Sequence, residues 1–433
     1  MTVKPQTPKS LEDTSTKSER TRKTILCAAA KQFRIAGYGP STIRKIAETA
    51  GVEAGSIYYH FASKEEIFDA VLDLGLRQIY DAVKEVSDAC QKEQAGFRET
   101  LGRMIHAHLE VFLRKSDFTS SNIRNFSMLP KPMRERHRPL RLAYAGLWED
   151  LLSKAIKDKE IRTDVKVIPL RHFLLGALNW MGEWFNASKY PIHILSESVT
   201  ILILDGMLDE TRQHTSSIGE TTFVEADYLV QGDSKAERTR MHILSTAAKV
   251  MRTSGYKAAT IRQIAAEAGM EAGSIYYHFD SKENLLDAIL DLGLREMADS
   301  VSTILLDHES YTNPSQQLAA AINAHMKILF ARSEFTSANI RMYGQLPQEI
   351  RARHRPVRRK YASAWEVCLK NAQDKKFIRR DFDVDPLRLF LIGALNWTVE
   401  WFDPDKGGQD GYYSLQEMIA LQQTLLLNGI ARD

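Results

Sequence analysis

Apolar residues recur along this chain at the spacing of amphipathic helices, and the same series of elements occurs twice. The first stripe runs over residues 25–33 and ends at Gly37, and its counterpart runs over residues 243–250 and ends at Gly255. Long periodic segments such as ETLGRMIHAHLEVFLRK and RLAYAGLWEDLLSKAIK follow in the first series. No segment alternates apolar and polar residues between hairpin turns, so the pattern predicts an all-α protein.

Two short helices are predicted between the first stripe and the long helices. Ser41 or Thr42 can cap a helix over STIRKIAETAG, Gly51 supplies a turn, and EAGSIYYHF (53–61) forms the second helix. Ser63 then begins a new helix with a capping-box pattern. Two short helices that are joined at a glycine turn and packed on a longer helix make a helix-turn-helix unit.

The repetition covers a whole unit rather than a short motif. Residues 51–77 match residues 269–295 at 21 of 27 positions, and residues 171–185 match residues 388–402 at 11 of 15 positions. The difference in residue number between matching positions changes from 218 in the first block to 217 in the second, so a single-residue insertion or deletion lies between the two blocks. Solenoid repeats span about 20–50 residues. A unit of roughly 200 residues is therefore expected to form a domain or a pair of small domains.

Composition narrows the class of protein. The chain has 433 residues, 44% of them apolar, and its longest apolar patches fall short of the roughly 18–20 residues of a membrane span, so no membrane partner is expected. Cys27, Cys90 and Cys368 are its three cysteines, and none recurs in the other copy, which indicates a reduced cytoplasm rather than a disulfide framework. A net charge of +3 is too small to indicate a nucleic-acid partner by itself.

The repeated segment EAGSIYYHF has the residue types of a helix that enters a major groove. Ile57 and Phe61 lie one helical turn apart and are expected in the core, which leaves two phenols and His60 near solvent. Small residues at the leading end of a helix and hydrogen-bond donors along its flank suit the major groove. The alternative is that these aromatic residues pack between domains.

The stretch PSTIRKIAETAGVEAGSIYYHFASKEEIF (40–68) resembles the DNA-binding module of the TetR family of bacterial transcriptional regulators, and the resemblance occurs in both copies. It implies a three-helix DNA-binding head and a helical body that binds a small effector and dimerises. By position, two residues at helix N-termini become phosphate contacts and five residues face the groove or its walls. In the first copy the phosphate contacts are Thr42 and Lys64, and the residues that face the groove or its walls are Arg44, Ser56, Tyr58, Tyr59 and His60. Their counterparts in the second copy are Thr260, Lys282, Arg262, Ser274, Tyr276, Tyr277 and His278.

On this resemblance the chain divides into six segments. They are a disordered tail (1–16), a first helix-turn-helix domain (17–63), a first ligand-binding and dimerisation domain (64–209), a linker (210–233), a second helix-turn-helix domain (234–281) and a second ligand-binding and dimerisation domain (282–433). The linker is rich in Thr, Ser and Gly, and its apolar residues between positions 223 and 230 favour a path along a protein surface over disorder.

The tandem arrangement departs from the usual member of the family, which has one copy and works as a homodimer. The two copies are expected to pair within one chain as a pseudo-dimer on a pseudo-palindromic DNA operator. The helices that read the two half-sites would then lie about 34–36 Å apart. The alternative is a homodimer of two chains with four heads.

One constellation in each body is a candidate wall of a ligand pocket. In LLGALNWMGEWF (174–185), Asn179 and Glu183 share one helix face, and Trp180 and Trp184 share another. The counterparts in the second copy are Asn396, Glu400, Trp397 and Trp401. The alternative is a helix that packs between domains.

A second constellation is basic, with RERHRPLR (134–141) repeated as RARHRPVRR (351–359). Guanidinium groups bind phosphates through paired hydrogen bonds, so clustered arginines beside an apolar pocket suit a phosphorylated ligand. The body resembles TetR members that sense acyl-coenzyme A thioesters, and an exposed surface or dimer rim is the alternative. The candidate residues are Asn122, Arg124 and Arg138 in the first copy and Asn339, Arg341 and Arg355 in the second.

These features predict a bacterial repressor that works in the cytoplasm on nucleoid DNA and is released by a small effector, with an acyl-CoA as the candidate. No catalytic constellation or cofactor motif is visible in the sequence. A metal site at His106 and His108 is not expected, because residues two apart point to different sides of a helix. An architectural DNA-binding protein without an effector is the main alternative. An acyl-CoA-processing enzyme is disfavoured because no acid and base are paired.

Overall fold

The structure is a computed structural model, and it describes residues 16–125, 131–205, 234–254, 256, 259–331, 333–342, 346, 348–406 and 413–428. The predicted linker (210–233), Gly255 and all but the last residue of the predicted tail (1–16) lie outside these described residues. Helices account for the regular structure throughout, and the described part of the chain has no extended strand. The predicted all-α class is confirmed.

The described residues of the first unit form nine α-helices. They are α1 (Lys17–Ala36), α2 (Ile43–Ala50), α3 (Ala54–Ile57), α4 (Lys64–Glu93), α5 (Phe97–Glu110), α6 (Asp117–Asn125), α7 (Lys131–Lys157), α8 (Val167–Trp180) and α9 (Ile192–Asp205). A π-helical turn over Val111–Lys115 extends α5, and a 3₁₀ turn over Met181–Glu183 extends α8.

The described helices of the second unit repeat this order. They are α10 (Lys235–Ser254), α11 (Ile261–Glu267), α12 (Ala272–His278), α13 (Lys282–Leu306), α14 (Pro314–Ala331), α15 (Ser333–Met342), α16 (Gln348–Asp374), α17 (Val384–Trp397) and α18 (Leu415–Asn428). Two 3₁₀ turns follow α17, over Thr398–Glu400 and Pro404–Lys406.

Helix ends in the first head follow the predicted local chemistry. Thr42 caps α2, because its hydroxyl accepts a hydrogen bond of 3.2 Å from the backbone N–H of Lys45. Gly37 and Gly51 end α1 and α2 with φ of 79° and 66°, a region that favours glycine. The predicted stop and turn glycines of the first head are therefore confirmed.

Each head has a hydrophobic core of its own. In the first head, Ile25 and Phe33 from α1 pack with Ile57, Phe61 and the apolar residues of α4 between positions 67 and 72. The first two turns of α4 therefore complete the head, and the rest of α4 enters the body. The second head repeats this arrangement with the start of α13.

The two bodies, in contrast, share one continuous hydrophobic core, and the crossing of α8 and α17 joins them. A methyl group added at Gly176 would lie 2.5 Å from Cδ1 of Trp397, and one added at Gly393 would lie even closer to Cδ1 of Trp180. Each tryptophan thus fills the space that a glycine of the other unit leaves free. Glycine at both positions lets the two helix backbones approach closely.

Candidate functional site

The tip of each head exposes two tyrosines. In the first head, Tyr58 is 60% exposed and Tyr59 is 91% exposed, whereas Ile57 of the same turn is fully buried. Tyr276 and Tyr277 of the second head are 55% and 87% exposed. The prediction that Ile57 and Phe61 face the core and the phenols face solvent is confirmed.

Other predicted DNA-contact residues surround this tip. Arg44 and Arg262 are exposed near the starts of α2 and α11, and the exposed Thr42 and Thr260 cap those helices. Among the remaining candidates Ser274 is exposed, and Ser56, His60 and His278 are half-buried. The guanidinium and hydroxyl groups at the helix starts are the kinds of group that contact DNA phosphates.

Lys64 and Lys282, the predicted phosphate contacts at the starts of α4 and α13, also form hydrogen bonds within the protein. The Lys64 ammonium donates hydrogen bonds to the carbonyl oxygens of Tyr38 (3.2 Å) and Ser41 (3.1 Å) and lies 4.1 Å from the centre of the Tyr38 ring. Lys282 donates in the same way to Tyr256 and Ala259, at 3.0 Å each. Burial lowers the pKa of the Lys64 ammonium. Each lysine therefore ties the start of a long helix to the loop before the helix-turn-helix.

The basic stretch of each unit ties the body to the head. His137 Nε2 lies 2.9 Å from a carboxylate oxygen of Asp69, and the Arg136 guanidinium pairs with the same carboxylate. In the second unit His354 and Arg353 pair with Asp287 at 2.8 and 3.0 Å. Asp69 and Asp287 lie in the turns of α4 and α13 that complete the heads. The recurrence of this stretch thus has a structural reason.

Arg138 and Arg355, which the sequence selects as ligand-binding candidates, lie on the exposed sides of their helices. Both are exposed, and Arg138 pairs with Glu135 at 3.7 Å on the outside of α7. Three residues further along each helix, Arg141 and Arg358 turn inward. Residues three apart on a helix point in directions that differ by about 60°, so one can face solvent while the other faces the core, and a charge run alone does not show which of them is buried.

A cavity of about 490 Å³ lies in the second body and is lined by both units. Most of its wall comes from α13 to α17, with Arg351, Arg358 and Arg388 among the lining residues. The first unit contributes three residues from the end of α8 and the turn after it, namely Trp180, Glu183 and Trp184. The volume lies within the range of about 300–1,000 Å³ that is usual for small-molecule sites.

The structure divides the predicted pocket residues between the two units. Asn396 of the second unit and Glu183 of the first line the same cavity, so the two residue types expected on one helix face come here from opposite sides of the seam, which is where α8 and α17 cross. The reason is that α8 ends at Trp180 and continues as a 3₁₀ turn. Trp180 and Trp184 both line the cavity, and Trp180 also packs on Gly393.

The remaining candidates have other surroundings. Trp397 packs on Gly176, and the ring of Trp401 stacks on His172 at 4.5 Å with an interplanar angle of 7°. Asn179 and Glu400 are partly buried near the same seam. The side chains of Arg124 and Arg341 lie outside the described residues.

A chain of hydrogen bonds leads from the cavity to the helix that carries the head. Arg358 donates from Nη2 to Oδ1 of Asn339 (3.3 Å), and Asn339 donates from Nδ2 to the carbonyl oxygen of Leu290 on α13 (2.9 Å). In the first unit the same chain runs from Arg141 through Asn122 to Leu72, at 3.3 and 2.8 Å. Repetition of these arginines in both copies was the sequence signal that could have identified them.

A buried histidine and tyrosine pair occurs in each body. His325 Nδ1 lies 2.6 Å from the hydroxyl of Tyr361, and both residues line the cavity. Burial lowers the pKa of His325 to about 4 and raises the pKa of Tyr361. His108 and Tyr144 form the same contact at 2.6 Å, and burial lowers the pKa of His108 to about 3. Both histidines are therefore neutral at physiological pH.

These buried histidines predict a loss of stability in mild acid. A histidine whose folded-state pKa is below its usual 6.5 takes up a proton in the unfolded chain first, so the free energy of unfolding falls as pH drops below about 6.5. We expect His108 and His325 to contribute about 1 kcal/mol each to the decrease between pH 7.5 and pH 5.5. Urea unfolding at both pH values measures this decrease. His325→Gln should reduce it, and an unchanged decrease in that variant would contradict the assignment.

Comparison with known proteins identifies the chain. The family described as "Bacterial regulatory proteins, tetR family" matches residues 25–71 and 243–289, and the "Tetracyclin repressor-like, C-terminal domain" matches residues 94–207 and 311–430. The chain belongs to the TetR family. Both domains of a TetR protein thus occur twice in tandem. Each of the two units contains one match to the N-terminal domain and one match to the C-terminal domain.

Curated relatives each align with less than half of this chain. The "HTH-type transcriptional repressor KstR2" of Rhodococcus jostii (strain RHA1) is 27% identical over 207 residues, which cover 46% of this chain and 97% of the relative. The "Fatty acid metabolism regulator protein" of Bacillus subtilis (strain 168) is 25% identical over 185 residues, 42% of this chain and 93% of the relative. These relatives are transcriptional regulators.

Solved structures of other proteins also align with about half of the chain. PfmR from Thermus thermophilus is 25% identical with a TM-score of 0.38, and covers 44% of this chain and 99% of its own. AibR, solved in complex with isovaleryl coenzyme A and operator DNA, is 26% identical with a TM-score of 0.38, and covers 44% of this chain and 98% of its own.

The described residues offer neither a metal-binding cluster nor a membrane-spanning helix. No cluster of three or more His, Cys, Asp or Glu side chains has the arrangement to hold a metal ion. No described helix has the length and apolar character to cross a membrane. The three cysteines are free, with Cys27 exposed and the other two buried.

Proposed function

We propose that this TetR-family chain is a ligand-responsive repressor that binds a pseudo-palindromic operator as a single-chain pseudo-dimer and leaves it when an acyl-CoA thioester binds. The observation that carries the proposal is the cavity whose wall comes from both units and whose arginine is hydrogen-bonded, through Asn339, to the helix of the head. A ligand there contacts the seam that holds the units together and the helix that carries a head.

The shared core of the two bodies supports the pseudo-dimer. Trp180 and Trp397 are each seated on a glycine of the other unit, and Asp385 of the second unit pairs with Lys189 of the first at 2.7 Å. An isologous two-fold interface uses the same patch on both partners, and α8 and α17 supply that patch here. One chain therefore has what a TetR homodimer needs, namely two heads on a joined pair of bodies.

The character of the cavity supports an amphipathic, anionic effector. Leu294, Met297 and Ile392 give it apolar walls, whereas Arg351 and Arg358 add guanidinium groups. Apolar walls suit an acyl arm, and guanidinium groups suit the phosphates of coenzyme A. One relative is named for fatty acid metabolism, which is consistent with an acyl ligand. The cavity also disfavours an architectural protein without an effector.

Removing Asn339 should uncouple effector binding from DNA release. We expect Asn339→Ala to bind the operator but to respond several-fold less to the effector, because the hydrogen bonds from Arg358 and to Leu290 are both lost. The measurement is operator affinity with and without the effector. The matched control is Gln373→Ala, which removes a buried amide that donates hydrogen bonds to the carbonyl oxygens of Arg379 (3.0 Å) and Phe382 (2.9 Å) in the segment after α16, away from the cavity. Equal responses in the two variants would contradict the proposed route.

The proposed function is tested by selecting an operator from random DNA and sizing the complex by light scattering. One chain per operator, with both half-sites protected from cleavage, is the expected result. Two chains per operator, near twice 49.2 kDa, would replace the pseudo-dimer by a four-headed assembly. Calorimetric titration with acetyl-, octanoyl- and palmitoyl-CoA tests the effector, and the absence of heat for all three would reject the acyl-CoA class.

A further inference from the structure

The two bodies differ where the second one has its cavity. Leu389 lines that cavity, and the corresponding residue of the first body is His172. The His172 ring lies 4.5 Å from the Trp401 ring in a parallel stack, and its Nε2 accepts a hydrogen bond from the guanidinium of Arg171. An imidazole of the first body therefore covers the indole face of Trp401.

A second substitution enlarges a side chain of the first body. Leu329 lines the cavity of the second body, and its counterpart in the first body is Phe112. Phe112 is 4% exposed and packs against Gly182 so closely that a methyl group there would lie 2.5 Å from the ring. Phe112 lies in the π-helical turn, whereas α14 stays α-helical through Leu329. Single π turns often mark places where a helix has been adapted to a function.

The indole of Trp184 differs in its surroundings from that of Trp401. Trp184 belongs to the first unit, lines the cavity of the second, and meets the ring of Tyr190 edge-on at 5.7 Å. Its Nε1 is buried and has no hydrogen-bond partner among the described residues. A buried N–H without a partner costs free energy, and a ligand that carries an acceptor into the cavity would remove that cost.

We infer that the chain has one principal effector site, in the second body, and that its occupant accepts a hydrogen bond from Trp184 of the first unit. This inference rests on the proposed function and assigns unequal roles to the two bodies. The chemical class that fits is an acyl group with a carbonyl oxygen, such as a thioester, whose hydrocarbon arm lies against Leu389 and Leu329. One bound ligand then contacts both units at their seam.

Four matched variants of the full chain test the inference by calorimetry with octanoyl-CoA and palmitoyl-CoA. Leu389→His introduces the imidazole of the first body into the cavity, and His172→Leu makes the reverse change. Trp184→Phe removes the N–H donor and keeps an aromatic ring, and Trp401→Phe is its counterpart. Operator affinity and circular dichroism are recorded for every variant, so that loss of fold is separated from loss of the site.

We expect one tight site per chain in the wild type. Leu389→His should weaken that site about tenfold or more, because it places a polar ring in an apolar wall. Trp184→Phe should weaken it about fivefold, as the loss of one hydrogen bond does. His172→Leu should leave the tight site in place, and Trp401→Phe should have the smaller effect of the two tryptophan changes.

Other results would overturn the inference. Two equal sites per chain, or a tight site that survives Leu389→His but is lost in His172→Leu, would reject the unequal roles and leave the proposed function standing. Equal losses in Trp184→Phe and Trp401→Phe would reject Trp184 as the particular donor. If neither thioester binds the wild type while operator binding is normal, the inference and the proposed effector class both fail.

Discussion

Tyr59→Ala is expected to weaken operator binding about tenfold, and Tyr59→Ala combined with Tyr277→Ala about a hundredfold. The two phenol rings are 91% and 87% exposed at the tips of the heads, so their removal leaves the folded cores intact. A lost contact at a base edge costs about 1–3 kcal/mol, and costs at separate half-sites add. Fluorescence anisotropy with a labelled operator at fixed salt concentration measures both variants.

The control for this prediction is Leu142→Ala, which removes an apolar side chain that is 59% exposed on α7, in the body. It should leave operator affinity unchanged. If one chain spans both half-sites, each single-head variant loses about the same factor and still binds at one chain per operator. Wild-type affinity in the variant with both tyrosines replaced would show that the heads read DNA through other side chains.

The second large effect is expected at the crossing of the two bodies. Gly176→Val should lower the free energy of unfolding by about 3 kcal/mol, because its side chain would occupy space that the Trp397 indole already fills. Gly393→Val should lower the free energy of unfolding by a similar amount, because its side chain would occupy space that the Trp180 indole fills. Operator affinity should fall as well, although the crossing lies outside both heads, since the shared core fixes the position of one head relative to the other.

Urea unfolding measures the loss of stability, with Gly146→Ala as the matched control. Gly146 lies within α7 with no atom within 4 Å of an added methyl group, so alanine should be neutral or slightly stabilising there. A Gly176→Val variant as stable as the wild type would mean that the two bodies separate without cost. The shared core would then contribute little to the pairing.

The amino-acid sequence alone determined the local structure of this protein. Helix starts such as Thr42 and helix ends such as Gly51 depend on hydrogen bonds and backbone angles within a few residues. The burial of Ile57 and Phe61 and the exposure of the neighbouring phenols depend on the spacing of residues along one helical turn. The duplication is visible in the sequence because aligning one half of the chain with the other is enough to find it.

Only the tertiary structure decided which elements meet. The contact of Gly176 with Trp397 joins residues from different units, and the spacing within either helix contains no information about its partner. The same limit explains why Arg141 and Arg358, rather than Arg138 and Arg355, turn inward. It also explains why Trp184 lines the cavity of the other unit. Periodicity fixes which residues share a helix face, but packing between distant segments decides what that face contacts.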